Sequence, residues 1–251
     1  MASVGSRQIA GTGTTAGAWA RWPGFADMPM LDTDLLLTRR VVIVAPHPDD
    51  EVLGCGGLIH HLAMLGRPVV LMAVTDGGAS HPGSAQWPAS ALLATRPRET
   101  QDALARLGVS EPCIDRLGIG DGEVTAREDA LTHQLIERLQ ADDLVIVTWE
   151  LDGHPDHEAT GRATKRACET RAIPCLQVPI WAWHWASPGD ARVPWARARR
   201  FMLDDAALVA KRHALAAFQS QIEPDASTGA APILPPAALE RLLRPFEVYL
   251  I

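Results

Sequence analysis

Apolar residues along this chain fall into short unbroken runs, separated by stretches with helical spacing. Val41-Val42-Ile43-Val44-Ala45, closed by Pro46, is a β-branched run that predicts a strand covered on both faces. Residues 68–75 and 144–149 (LVIVTW) repeat that pattern, and 114–117 is a weaker version. Leu58, Leu62 and Leu65 mark a helix over 51–65, with Gly66 as its stop. Further helices are predicted over 96–107, 128–139, 156–172 and 205–218, the last capped by Asp204, and a short one near 236–243. Residues 175–185 read as a strand that would place Trp181, Trp183 and Trp185 on one face, for packing or as an aromatic wall for a sugar ring, with His184 on the other. Strands are also expected at 199–203 and 246–251. The long stretch 76–95 is rich in Gly, Ser and Pro, and loops of that length in compact domains usually carry function. Residues 1–35 read as an N-terminal arm that packs late or frays, leaving 36–251 as one domain. Strands alternating with helices predict an α/β fold, a mostly parallel sheet with helices on both faces.

Composition narrows the class. The chain has 251 residues, 47% hydrophobic and 21% charged, which suits a globular domain and excludes global disorder or a fibrous repeat. The net charge of −7 disfavours a duplex nucleic-acid partner, which needs a basic face. No run approaches a membrane span, and the first 30 residues lack the basic start and apolar core of a secretory signal, so a cytoplasmic protein is expected. The four cysteines form no C-x-x-C pair and are expected as reduced thiols. Gly54-Cys55-Gly56-Gly57 lacks the dinucleotide-binding spacing and reads as close helix packing.

The candidate chemistry sits where strands end. Pro46-His47-Pro48-Asp49-Asp50-Glu51 follows the first strand, and open α/β sheets place their sites at carboxyl ends of strands. Asp49 and Asp50 could serve as a helix cap with an acidic first turn. His47 between two prolines does not fit that reading, since the rigid backbone aims its ring out of the strand end. One imidazole and three acids in five residues conflict electrostatically unless protons or a dication intervene, and Zn²⁺ accepts both ligand types. His154-Pro155-Asp156-His157 follows the strand at 144–149. If both strands share one parallel sheet, the two clusters open on the same edge and supply the parts of a metal-assisted hydrolase.

With these two clusters the sequence resembles the LmbE-like/PIG-L family of zinc-dependent N-acetylglucosaminyl deacetylases. Thr75-Asp76-Gly77, Ser80-His81, Arg96-x-x-Glu99, Leu107-Gly108-Val109, Asp121-Gly122, Lys211 and Ser220-Gln221 support the resemblance, which spans roughly residues 40–222. It implies a Rossmann-like fold in which His47, Asp50 and His157 hold the metal. Asp49 would be the general base for the metal-bound water. His154 would stabilise the oxyanion or protonate the leaving amine, with Asp156 tuning it. Arg96 and Asp121 would contact the sugar. His81, in the long loop, is a further candidate for the substrate mouth.

The expected reaction is removal of an acetyl group from an N-acetylated amino sugar or its conjugate. A small-molecule partner is implied, and a homo-oligomer is compatible. Two rivals remain: an amidase acting on a thiol-sugar conjugate or antibiotic intermediate through the same residues, and an α/β binding protein without catalysis. Two histidines and a carboxylate also suit Fe²⁺.

Overall fold

The computed structural model describes Arg7 and residues 9–251. Three short helices, α1 (Ala16–Ala20), α2 (Gly24–Asp27) and α3 (Asp34–Thr38), precede β1 (Arg40–Ala45). There follow α4 (Asp50–Met64), β2 (Val69–Ala73), α5 (Ala89–Arg106), β3 (Cys113–Arg116), α6 (Glu128–Arg138), β4 (Asp143–Thr148), α7 (Pro155–Arg171) and β5 (Cys175–Val178). The C-terminal part adds α8 (Ala182–Trp185), β6 (Ala198–Met202), α9 (Asp205–Leu215), α10 (Gln219–Ile222), α11 (Pro236–Leu242) and β7 (Phe246–Leu250).

The sheet has the order β3-β2-β1-β4-β5-β7-β6. The first five strands are parallel, and β7 runs antiparallel between β5 and β6. Strand order reverses between β1 and β4, where Val44 pairs with Val147. A crevice opens at such a reversal, beyond the carboxyl ends of the two strands. Both histidine-bearing segments leave the sheet there.

Alternation along the central strands explains their unbroken apolar character. Val41, Ile43, Leu144 and Ile146 face a core built with α4 and the C-terminal elements. Val42, Val44, Val145 and Val147 face a second core with Leu131 and Leu135 of α6 and Ala159, Ala163 and Ala167 of α7. Each strand residue is thus buried whichever face it takes. The sheet is mixed and mostly parallel, flanked by helices in one α/β domain.

Residues 16–31 belong to the core: Trp19, fully buried, stacks edge-on against Trp183 at 5.0 Å, and Phe25, Met28 and Leu31 join the same cluster. Asp204 caps α9, its carboxylate accepting from the Ala207 N–H at 2.7 Å. Gly54 and Gly57 let α4 approach Val178 and Leu203. Glu247 of β7 ties three elements together, accepting from Lys211 Nζ (2.7 Å) and from the N–H groups of Gly57 and Leu58, all buried.

Two elements depart from the expected pattern. The helix expected from Arg96 starts at Ala89 and carries Pro97 inside it. A mid-helix proline leaves the carbonyl four residues earlier without a donor. That residue is Leu93, on the exposed side of the helix, where solvent can serve it. The strand expected over 175–185 stops at Val178, because Pro179 has no N–H to continue a ladder. The Asp152 carboxylate then collects the N–H groups of Ile180, Trp181 and Ala182 at 2.9–3.0 Å, and the chain turns into α8. The three tryptophans therefore do not share a strand face. Trp183 enters the core, Trp185 donates to the Asp152 carbonyl, and Trp181 lines the site described next. His184 is buried against Ala10 and Arg241.

Candidate active site

A cavity of about 250 Å³ opens at the β1/β4 crevice, lined by His47, Asp49, Asp50, Arg96, Asp121, His154 and His157, with Trp181, Gln221, Ile233 and Leu234 completing the wall. Local sequence explains the arrangement. His47 leaves β1 between two prolines. Asp49 adopts φ 125°, a costly backbone for a side chain with a Cβ, at the N-terminus of α4. Its N–H donates to Glu51 Oε2 at 3.0 Å, and Arg96 Nη2 bonds both Pro48 O (2.7 Å) and Asp49 Oδ2 (3.0 Å), so the strained turn is held from two sides. His154 caps α7, Pro155 takes the first helical position, and His157 follows one turn on, facing the same cavity.

One carboxylate oxygen lies at the centre. Asp50 Oδ2 is 3.3 Å from His47 Nδ1 and 3.2 Å from His157 Nε2. Donors around a tetrahedral ion with bonds of about 2.0–2.1 Å lie about 3.3 Å apart, so both spacings suit a shared divalent cation. His47, His154 and His157 also bring one ring nitrogen each within 4.8 Å of one another. The far sides of the rings are fixed. His157 Nδ1 donates to Asp152 Oδ2 at 2.9 Å, and His47 Nε2 lies 3.3 Å from both Asp121 and Asp156. Carboxylates behind imidazoles are the usual means of orienting metal-binding histidines.

The electrostatics divide the neighbouring acids. Burial pushes Asp50 upward, but the charge and hydrogen bond of His157, with help from His47, hold its carboxyl far below the usual range. Burial moves Asp49 in the opposite direction, above the usual carboxylate range, against the opposing charge of Arg96. Burial alone would depress His157, yet Asp50 and Asp152 raise it to about 9. His47 is likewise raised by Asp121, Asp156 and Asp50 against its own burial. Imidazoles that hold protons this tightly beside a carboxylate form a donor set in which a cation can replace the protons. His154 differs: burial and the nearby His157 and His47 charges lower it to about 4, and its Nδ1 accepts from the Asp156 N–H at 3.3 Å, leaving the proton on Nε2.

Two expected contacts take another form. The Asp156 carboxylate reaches His47 and the Gly122 N–H (2.7 Å), and meets His154 only through its backbone N–H. His81 lies outside the cavity lining, because its Nδ1 is taken by Ser80 Oγ at 2.9 Å and its ring faces Trp87.

Asp152 was not legible as part of the site. Its only sequence signal is an acid five residues ahead of His157. Gln221 is fully buried and its Nε2 donates to Ser220 Oγ at 2.9 Å. The Ser220 hydroxyl gives its single proton to Glu99 Oε2 at 2.6 Å, which settles the amide orientation. Gln221 Oε1 is left without a donor among the described residues. A buried acceptor in a cavity wall is costly unless a bound molecule supplies a hydrogen.

The chain is similar to several known deacetylases. A deacetylase from Corynebacterium diphtheriae, acting on 1D-myo-inositol 2-acetamido-2-deoxy-alpha-D-glucopyranoside, is 27% identical over 232 residues, 74% of this chain and 78% of the relative. The fold is similar to the zinc-inhibited form of a teicoplanin deacetylase (TM-score 0.59, 19% identity, 73% of this chain and 85% of that one). It is also similar to the N,N'-diacetylchitobiose deacetylase of Pyrococcus horikoshii (TM-score 0.58, 21% identity, 83% and 80%). The profile described as GlcNAc-PI de-N-acetylase matches residues 42–168, half of the chain and the half that carries both histidine clusters. With that match across β1 to α7, the chain belongs to the GlcNAc-PI de-N-acetylase (PIG-L) family.

Proposed function

We propose that this chain hydrolyses the acetamide of an N-acetylated amino sugar or its conjugate with the help of a divalent metal. The observation that carries the reading is the meeting of His47 Nδ1 and His157 Nε2 on Asp50 Oδ2, with Asp49 beside them. His47, Asp50 and His157 would hold the ion. Zinc suits two nitrogens and one oxygen, and Fe²⁺ takes the same set. Such an ion, when bound, acidifies water toward neutral pH and polarises a carbonyl.

The remaining steps fall to this chain's own side chains. Asp49 takes a proton from the attacking water. Arg96 fixes where it points. His154 presents its Nε2–H to the carbonyl oxygen as negative charge grows there, and Asp49 hands the proton it took from water to the departing nitrogen. Asp156 sets the tautomer of His154 through its backbone N–H. Asp121 and Gln221 Oε1 accept hydrogen bonds from sugar hydroxyls, and Arg96 borders the ring. The relatives that act on acetamido sugars support this substrate class.

Acetate release from an N-acetylglucosaminide tests the reading. Asp49→Asn should lower turnover by about 10²–10⁴-fold with metal content unchanged. Removal of the metal with a chelator should abolish release, and zinc should restore it. Unchanged turnover in Asp49→Asn would remove the base assignment.

A further inference from the structure

We infer that the cavity mouth selects amino sugars carrying an apolar aglycone, and that Ile233 and Trp181 are the residues that recognise it. The inference takes its sugar ring from the deacetylase reading above. The cavity wall is unevenly made. Asp49, Asp50 and His157 are all buried at its floor, whereas Ile233 is 37% exposed and marks the mouth. Trp181, at the entry to α8, extends the apolar lining there, and Leu234, beside Ile233, backs it from the core. About 250 Å³ is small for a ligand site, enough for a sugar ring and its acetamido group. Whatever the ring carries leaves the cavity at the mouth. There the exposed side chain of Ile233 offers hydroxyl groups nothing to bond, and gains by being covered with apolar surface.

The mouth is a built feature. The Leu234 N–H donates to Gln221 O at 2.9 Å. Ser227 Oγ accepts from the N–H groups of Ala85 and Gln86 at 3.0 and 3.2 Å, Gln86 Oε1 accepts from the Ala226 N–H at 2.9 Å, and Asp225 Oδ1 accepts from Ser227 N–H and Oγ. The segment bearing Ile233 is thereby fastened to the loop before α5, and its apolar side chains are held in place before anything binds. Trp181, Ile233 and Leu234 all lie beyond residue 168, where the family match ends.

Calorimetric binding to the zinc-loaded full-length protein tests this, using the methyl and phenyl glycosides of 2-amino-2-deoxyglucose, both anomers, which carry no acetyl group and are not turned over. The phenyl glycoside should bind about tenfold more tightly than the methyl glycoside, from the added aromatic burial. That ratio should fall to within about twofold in Ile233→Ser and in Trp181→Ala, since each removes part of the apolar cover. It should persist in Met202→Ser, an exposed apolar residue lining a separate groove. Equal affinities in the wild type, no binding of either glycoside, a ratio that survives both mouth substitutions, or one lost equally in Met202→Ser would each overturn the inference. Failure of the deacetylase reading shows separately, as absence of acetate release from the N-acetylated glycosides.

Discussion

Arg96 Nη2 lies 3.0 Å from Asp49 Oδ2, and both side chains are almost wholly buried. The pair spans 47 residues and joins α5 to the turn that opens α4. Removing one member of a buried ion pair leaves the other charge without compensation, at a cost of about 3–5 kcal/mol. Arg96→Gln should therefore lower the unfolding free energy from urea titration by that amount. It should also reduce acetate release by about a hundredfold, because Asp49 loses the contact that aims it. Activity retained alongside the stability loss would make Arg96 a purely structural partner.

Asp152 holds His157 by its Nδ1 while collecting the backbone N–H groups of Ile180, Trp181 and Ala182, where the chain enters α8. Replacing it with Asn would set an amide N–H₂ against some of those donors. Zinc affinity, read by competition with a chromophoric chelator, should fall by about 10–100-fold, the usual effect of losing a carboxylate behind a metal-bound imidazole. Unaltered affinity would show that His157 is oriented by packing alone.

Gly161 lies where α7 crosses the end of β4. A Cβ there would come within 2.7 Å of Thr148 O and 2.8 Å of Glu150 N, backbone atoms that cannot swing aside. Alanine gains about 1 kcal/mol in helix propensity. Overpacking in a tight interface costs about 1–3 kcal/mol and should prevail. Gly161→Ala should thus be destabilised in urea, and zinc binding should weaken with it, since α7 carries His157 at its start.

Asp190 supplies a pH-dependent increment far from the cavity. Its hydrogen bonds from Arg192 Nε and Nη2, at 2.9 and 2.6 Å, hold its carboxyl below the usual range despite partial burial. A carboxyl lowered in the folded state stabilises it above the unfolded pKa of about 3.8, and the contribution disappears as pH falls through the folded value. The Arg192 side chain is 30% exposed, so solvent screening limits the pair to under about 1 kcal/mol. Asp190→Asn should lower the urea midpoint slightly at pH 7, and the gap should narrow steadily below pH 4. A gap that widens on acidification would contradict the sign.

Much of the site was readable because its clusters are local in sequence and follow runs that only a doubly covered strand would show. His47, Asp49 and Asp50 sit within four residues, and His154 and His157 within four more. What escaped notice depends on partners distant in the chain. The carboxylate of Asp152 diverts 180–182 from strand to helix, and no period in 175–185 announces it. Pro97 reads as a break until Leu93 is seen to lie at the surface. His81 sits in a loop rich in site residues, yet its neighbour Ser80 engages the ring nitrogen. Ile233 reaches the cavity only through a long return of the C-terminal segment.

The adjacency of β1 and β4 has a consequence for assembly. About a hundred residues intervene between them, and the two strands must find each other before the imidazoles of His47 and His157 converge. A fragment ending before Asp143 would own one histidine cluster and no second strand to oppose it. Uptake of a divalent metal by His47 and His157 would therefore signal that the central pairing has closed, and refolding followed by metal uptake would report the moment at which the sheet is complete.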